Sequence, residues 1–177
     1  MAEMNDSFNE VTAEMLKVIS DYDSVTGFQG AYNIRQDSMC AGRKNSENIT
    51  IESKTDKPGI NIRVKPGTKG ETVYIPACVT HSNVDDLVYN DFFIGEGADV
   101  TIVAGCGVHS DGSETARHNG IHRFFLEKGA KVLYKEKHIG TGKGTGLRRI
   151  DPVTDAYLKE DSCLLYTSDA ADERSSV

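Results

Sequence analysis

Hydrophobic and polar positions follow two periods along the chain. Near the start, apolar side chains recur every three or four positions: Phe8, Val11, Met15, Val18 or Ile19, and Tyr22. That spacing predicts an amphipathic helix with one face to pack. Ser7-Phe8-Asn9-Glu10 fits a capping box, with Ser at the N-cap and Glu three residues on. Gly27 and Gly30 close the segment. From about residue 31 the period falls to two. Asn48 to Glu52 and Gly59 to Lys65 alternate, as half-buried strands do. Lys57-Pro58-Gly59 and Lys65-Pro66-Gly67 are turn signals beside them. Glu71 to Ile75 reads as another strand, stopped by Pro76, and strands and turns continue to about residue 140.

One segment repeats. Phe92-Phe93-Ile94-Gly95-Glu96-Gly97-Ala98-Asp99-Val100-Thr101-Ile102 returns as Phe124-Phe125-Leu126-Glu127-Lys128-Gly129-Ala130-Lys131-Val132-Leu133-Tyr134. Each copy is strand, Gly-Ala turn, strand. Repeated turn chemistry between short strands suggests a solenoid such as a parallel β-helix, whose stacked coils bury a continuous core. An antiparallel meander of two similar hairpins fits the same period.

Composition narrows the class. The 177 residues are 38% hydrophobic and 27% charged, which suits one globular domain or a piece of one. Apolar runs such as Ile102-Val103-Ala104 are far too short to cross a bilayer. The acidic start, Met1 to Asp6, has no signal-peptide apolar region, so a cytoplasmic protein without a membrane segment is expected. Lys and Arg number 20 against 27 Asp and Glu, a net charge of −7, which argues against a general nucleic-acid binder.

The end of the chain differs from the rest. The eleven residues Cys163-Leu164-Leu165-Tyr166-Thr167-Ser168-Asp169-Ala170-Ala171-Asp172-Glu173 resemble the translation of a transposon-type sequencing adapter. Residues 162–177 are therefore expected to be a non-native tail with Ser162 at the junction, and the natural protein to continue beyond residue 161. Setting Cys163 aside leaves Cys40, Cys78 and Cys106, too few and too odd a number for a disulfide framework.

Candidate chemistry gathers in one window. Cys106, His109, His118 and His122 offer thiolate and imidazole, ligands that suit zinc or iron, and form the candidate metal set. His118 and His122 are four apart and share a face on either a strand or a helix. Strand parity with Val100, Ile102 and Ala104 points Cys106 inward, and Gly105 and Gly107 beside it permit a bend or a close backbone approach. A second Cys-x-x-His pair falls at Cys78 and His81. Asp85, Asp86 and Asp111 read as solvated loop acids. Gly140 to Gly146 lacks the residue order of a phosphate-binding loop and reads as a flexible loop or sharp turn. Residue types alone leave two readings: a small cytosolic metal-binding β domain using a Cys/His cluster, or a bare β-solenoid interaction module.

The chain resembles the SufB/SufD family of iron–sulfur cluster assembly proteins, most of all its short SufB-like members, and reads as a C-terminally truncated one. The resemblance is carried by Gly30-Ala31-Tyr32-Asn33-Ile34-Arg35, Lys57-Pro58-Gly59-Ile60 and Val88-Tyr89-Asn90-Asp91-Phe92. Its most specific parts are Ala104-Gly105-Cys106-Gly107-Val108-His109, His118-Asn119-Gly120-Ile121-His122 and Glu127 to Tyr134. It implies a mainly β chain with a right-handed parallel β-helix core over 31–161, incomplete at its C-terminal end, behind an N-terminal helical segment at 1–30. It implies a scaffold of the SUF machinery, not an enzyme, that receives sulfur and iron and builds a transient iron–sulfur cluster for transfer to apoproteins. The implied partners are a SufC-type ATPase, a homodimeric or SufB/SufD-like partner, and a sulfur donor protein. Cys106 falls at the family's Gly-Cys position and is the sulfur-acceptor candidate, and His118 matches the family histidine. His109, His122 and His138 look particular to the short members. The family's C-terminal half, with further cluster residues and the SufC-docking helices, has no counterpart here. The chain is therefore not expected to complete a cluster alone.

Overall fold

Alternation of inward and outward side chains winds the chain into stacked coils. The computed structural model describes residues 6–172, so residues 1–5 of the N-terminal segment and 173–177 of the expected tail lie outside the described residues. Helix α1 spans Glu10–Ile19. The strands are β1 (Ala31–Gln36), β2 (Met39–Lys44), β3 (Ile49–Ser53), β4 (Gly59–Val64), β5 (Lys69–Tyr74), β6 (Ala77–Val79), β7 (Asp85–Ile94), β8 (Asp99–His109), β9 (Ala116–Leu126), β10 (Lys131–Thr141), β11 (Arg148–Ile150), β12 (Val153–Leu158) and β13 (Cys163–Asp172).

Two sheets face each other. One runs β13-β10-β8-β5-β1-β2, with β6 beside β1 and β8, and the other runs β11-β9-β7-β4-β3, with β12 beside β9. Pairing along the coils is parallel, while β1–β2 and β3–β4 are antiparallel at the first end. The chain crosses between sheets at the Gly97-Ala98 and Gly129-Ala130 corners, with both alanines fully buried. The repeated segments are therefore successive coils and not hairpins. The expectation of a mainly β, parallel β-helical core is borne out, with about three turns. Asp99 pairs with Lys131 and Lys131 with Cys163; Asp85 pairs with Arg117 and Ile121 with Val153. Each of these steps equals the offset from Phe92 to Phe124 in the sequence repeat, and those two residues are themselves register partners.

Stacking in register fills the interior with like on like. Phe92 lies on Phe124 with ring centroids 4.5 Å apart and planes 5° from parallel, and Tyr134 meets Phe124 edge-on at 5.1 Å. Such pairs add about 0.5–1.5 kcal/mol beyond the area they bury.

The helix starts later than its capping box suggested. Asn9 is the N-cap, and its side chain accepts from the Thr12 N–H at 2.9 Å. Gln36 and Thr80 hold Asn9 in place, whereas the Ser7 N–H donates to the Ala41 carbonyl. Thr12, Met15, Leu16 and Ile19 are buried against the outer face of β8, and Val18 is exposed. Close approach depends on Gly105 and Gly107: a Cβ on the first would strike the Ile19 carbonyl, and on the second the Met15 sulfur.

The expected foreign tail is structured. Cys163–Asp172 pairs with β10 along its whole length, Leu164 packs on the core, and Tyr166 stacks on Tyr134 at 5.2 Å. A parallel edge accepts a strand through backbone groups that any sequence supplies. Among the described residues, no helix is long and apolar enough to cross a membrane.

Leu16→Ala should cost about 2–5 kcal/mol in urea unfolding, the range for emptying a buried leucine site. Val18→Ala should stay within about 0.5 kcal/mol, as exposed substitutions do. Equal losses would contradict the docking of α1 by this face.

Candidate metal centre

The inward positions divide the interior into two ends. Near the Gly-Ala corners they are apolar: Phe92, Val100, Ile102, Phe124, Val132 and Tyr134. Further along the same strands they turn polar. Strand β7 contributes Asp86 and Asn90, β8 Cys106, β9 His118 and His122, and β10 Glu136 and His138. Asp86 pairs in register with His118, Asn90 with His122, Ala104 with Glu136, and Cys106 with His138. Cys106 thus lies on the inward face, as its parity with Val100, Ile102 and Ala104 requires.

Cys106, Glu136 and His138 form a potential metal-binding trio. Their ligand atoms (one sulfur, one carboxylate oxygen, one ring nitrogen) all lie within 4.8 Å of one another. His138 Nε2 is 3.1 Å from Glu136 Oε1 but makes no hydrogen bond among the described residues. Burial pushes the Cys106 thiol well up, and the charges of Glu136, Cys78 and Asp86 add to that. Without a cation, Cys106 is therefore a thiol. Burial alone would raise Glu136, but His138 and Tyr166 outweigh it and hold the carboxyl below its ordinary value. The trio thus offers an ionised carboxylate and a thiol whose proton a metal would displace. Sulfur, imidazole and carboxylate together suit zinc or ferrous iron, and three protein ligands leave a coordination position open.

Both β9 histidines are held in place. His118 Nδ1 donates to Asp86 Oδ2 at 3.0 Å, and Arg35 grips the same carboxylate through Nε and Nη2 at 2.6–3.1 Å. Burial opposes charge on Asp86, but His118 and Arg35 prevail and keep it ionised far below the usual carboxylate range. An ionised carboxylate only accepts, so His118 Nδ1–H donates to it and the ring is held with Nε2 on the opposite side. His122 Nδ1 lies 3.3 Å from the Tyr134 hydroxyl, which donates onward to Glu136. Burial lowers His122 to about 4, so its ring is neutral at neutral pH. Asn90, Cys106, His118 and His122 line one cavity of about 20 Å³, room for a single water-sized particle.

The structure divides the residues expected to bind metal. Cys106, His118 and His122 share the interior. His109 does not join them: three positions beyond Cys106 on a strand, it faces outward and bonds Thr141 and Asp111 beside α1. Cys78 and His81 also separate, Cys78 under α1 and His81 at the surface near Asp37. Asp86, read as a solvated acid, is 1% exposed and anchors the site. Glu136 was missed, and His138 was noted but left out of the metal set. Carrying Ala104 and Cys106 forward by one repeat would have found both. Cys78, Cys106 and Cys163 are not in disulfides.

Comparison with known proteins bears out the family resemblance. The chain is 32% identical over 89 residues to an iron–sulfur cluster assembly SufBD family protein of Methanothermobacter thermautotrophicus (strain Winter), covering 49% of this chain and 21% of the relative. It is 33% identical over 98 residues to an iron–sulfur cluster assembly SufBD family protein of Archaeoglobus fulgidus, covering 54% of this chain and 26% of the relative. A third such protein, from Methanothermobacter thermautotrophicus strain Delta H, is 30% identical over 89 residues, 49% of this chain and 21% of the relative. The match therefore spans 21–26% of the length of these relatives. No protein-family model and no solved structure matches the chain.

Neutral burial of His122 has a pH signature. The unfolded ring titrates near pH 6.5, the folded one at about 4. Its contribution is fully present above about pH 6.5 and is lost as pH falls toward 4, on the order of 3 kcal/mol in all. Asp86 and Glu136, depressed in the fold, add their own losses from about pH 5 downward, where the unfolded carboxyls begin to protonate. Urea unfolding across pH 6.5–5 should therefore show a slope in the parent that is reduced in His122→Gln. Identical slopes would mean that His122 is not buried neutral.

Proposed function

We propose that the chain serves iron–sulfur cluster assembly as a scaffold, taking iron and sulfur into its interior through Cys106, Glu136 and His138. The observation that carries this reading is the convergence of the trio's ligand atoms within 4.8 Å on the inward faces of adjacent strands. Similarity to SufBD family proteins supports the role in cluster assembly.

Iron and sulfide are cargo in this reading. Ferrous iron binding at the trio displaces the Cys106 proton, since the thiolate is the ligand. Glu136 enters already ionised and offsets part of the metal's charge. As sulfur acceptor, the Cys106 thiolate attacks the sulfane sulfur of a donor persulfide. A new sulfur–sulfur bond forms on Cys106, the donor's own breaks, and the donor leaves as a thiolate with the electron pair. Nothing in this sequence requires turnover, so the chain is a carrier and not an enzyme. A SufC-type ATPase, a second SufB/SufD-like copy and a sulfur donor protein complete the cytoplasmic machinery. Within the chain, 31–161 is the working core behind the 1–30 helical segment, and 162–177 is a non-native tail.

Anaerobic incubation with ferrous iron and sulfide, followed by desalting, tests this. The full chain should retain iron. Cys106→Ser and Glu136→Gln should retain about tenfold less or lower still, and His109→Ala should match the parent. An empty parent, or a Cys106→Ser variant that loads fully, would overturn the proposal.

A further inference from the structure

The polar end of the interior contains a second set of ligand atoms, on the sheet opposite the trio. Strand β9 turns His118, Gly120 and His122 inward in succession, and β7 places Asn90 beside His122. Gly120 leaves a gap between the rings. A Cβ there would sit 2.6 Å from His122 Nε2 and 3.4 Å from His118 Nε2, so both nitrogens aim at the space the missing side chain opens. His118 gives Nδ1–H to Asp86, and His122 Nδ1 faces Tyr134. Both Nε2 atoms are left facing the gap. Asn90 is 7% exposed and lines the same cavity, and its Oδ1 has no hydrogen-bond partner among the described residues. A buried amide oxygen without a donor costs about 1–3 kcal/mol, so an unpaired one calls for an explanation. A cation supplies it.

We infer that His118 Nε2, His122 Nε2 and Asn90 Oδ1 form a second divalent-metal position over Gly120. It lies next to the Cys106–Glu136–His138 position, with Cys106 in the wall between them. Two imidazoles and an amide oxygen suit ferrous iron, cobalt or zinc rather than magnesium or calcium, which want oxygen ligands throughout. Metal–nitrogen bonds of about 2.0–2.1 Å would draw both rings in from the distances seen at Gly120, His118 further than His122. Asp86, backed by Arg35, fixes the His118 ring as a carboxylate behind a metal-bound histidine does. The inference deepens the scaffold reading and rests on it for its role: the interior then holds two metals side by side, the minimum for joining iron through sulfur.

Anaerobic titration with cobalt(II) alone separates the two positions, because thiolate-to-cobalt charge-transfer absorption reports only the site containing Cys106. The full chain should bind two cobalt ions with that absorption present. Gly120→Ala, which puts a methyl group into the gap, should bind one with the absorption intact, the second being weakened about 10- to 100-fold or lost. Asn90→Leu, close in size, should do the same and stands in if Gly120→Ala fails to fold by circular dichroism. A parent binding a single cobalt with charge transfer, or two ions retained in both variants, would overturn this second position and leave the scaffold reading intact. One ion without charge transfer, lost in Asn90→Leu, would uphold the second position and overturn the Cys106 trio. No bound cobalt would overturn both.

Discussion

Parallel stacking in register is the constraint on which the rest of the structure depends. From β7 and β8 onward the coils are offset by one constant repeat, so each inward side chain there lies against its equivalent one coil away. Apolar positions gain from this, as the Phe92–Phe124 stack and the Tyr134 ring against it show. Polar positions inherit the same adjacency, at a cost unless they find partners. Asp86 and His118 meet that cost with Arg35. Asn90 Oδ1 and His138 Nε2 do not meet it within the described residues. Unsatisfied atoms of this kind concentrate where a protein has chemistry to do.

Strand β8 serves two masters on its two faces. Inward it presents Cys106; outward it presents Gly105 and Gly107, which let Met15 and Ile19 settle onto bare backbone. The Gly-Cys-Gly run is thus one solution to two demands, a thiol inside and a helix pressed against the back. The helix covers a sheet face that would otherwise be open, and buries Cys78 beneath it.

Much of this was legible in the sequence because solenoids write their period into it. The two Gly-Ala corners, at Gly97 and Gly129, marked the coils, and alternation from Val100 to Ala104 put Cys106 inside. The misreadings have physical reasons. His109 lies near Cys106 along the chain, but three steps on a strand reverse the face. Asp86 looked like a loop acid because its partners, Arg35 and His118, are 51 and 32 residues away. Glu136 looked like one charge among the lysines of Lys135-Glu136-Lys137, and only strand parity separates it from them. The N-cap shifted from Ser7 to Asn9 because Gln36 and Thr80, remote in sequence, hold Asn9.

The polar end of the interior is assembled from strands in order along the chain: Arg35 on β1, Asp86 and Asn90 on β7, Cys106 on β8, His118 and His122 on β9, and Glu136 and His138 on β10. A nascent chain emerging from the ribosome delivers them in that sequence, and coils can add to those already formed. Until β10 docks, Cys106 belongs to an edge strand with its thiol near the open end of the stack. Docking of β10 brings the carboxylate and the imidazole and closes the thiol in at the same moment. The order of synthesis thus gives the sulfur atom an accessible early life and an enclosed later one.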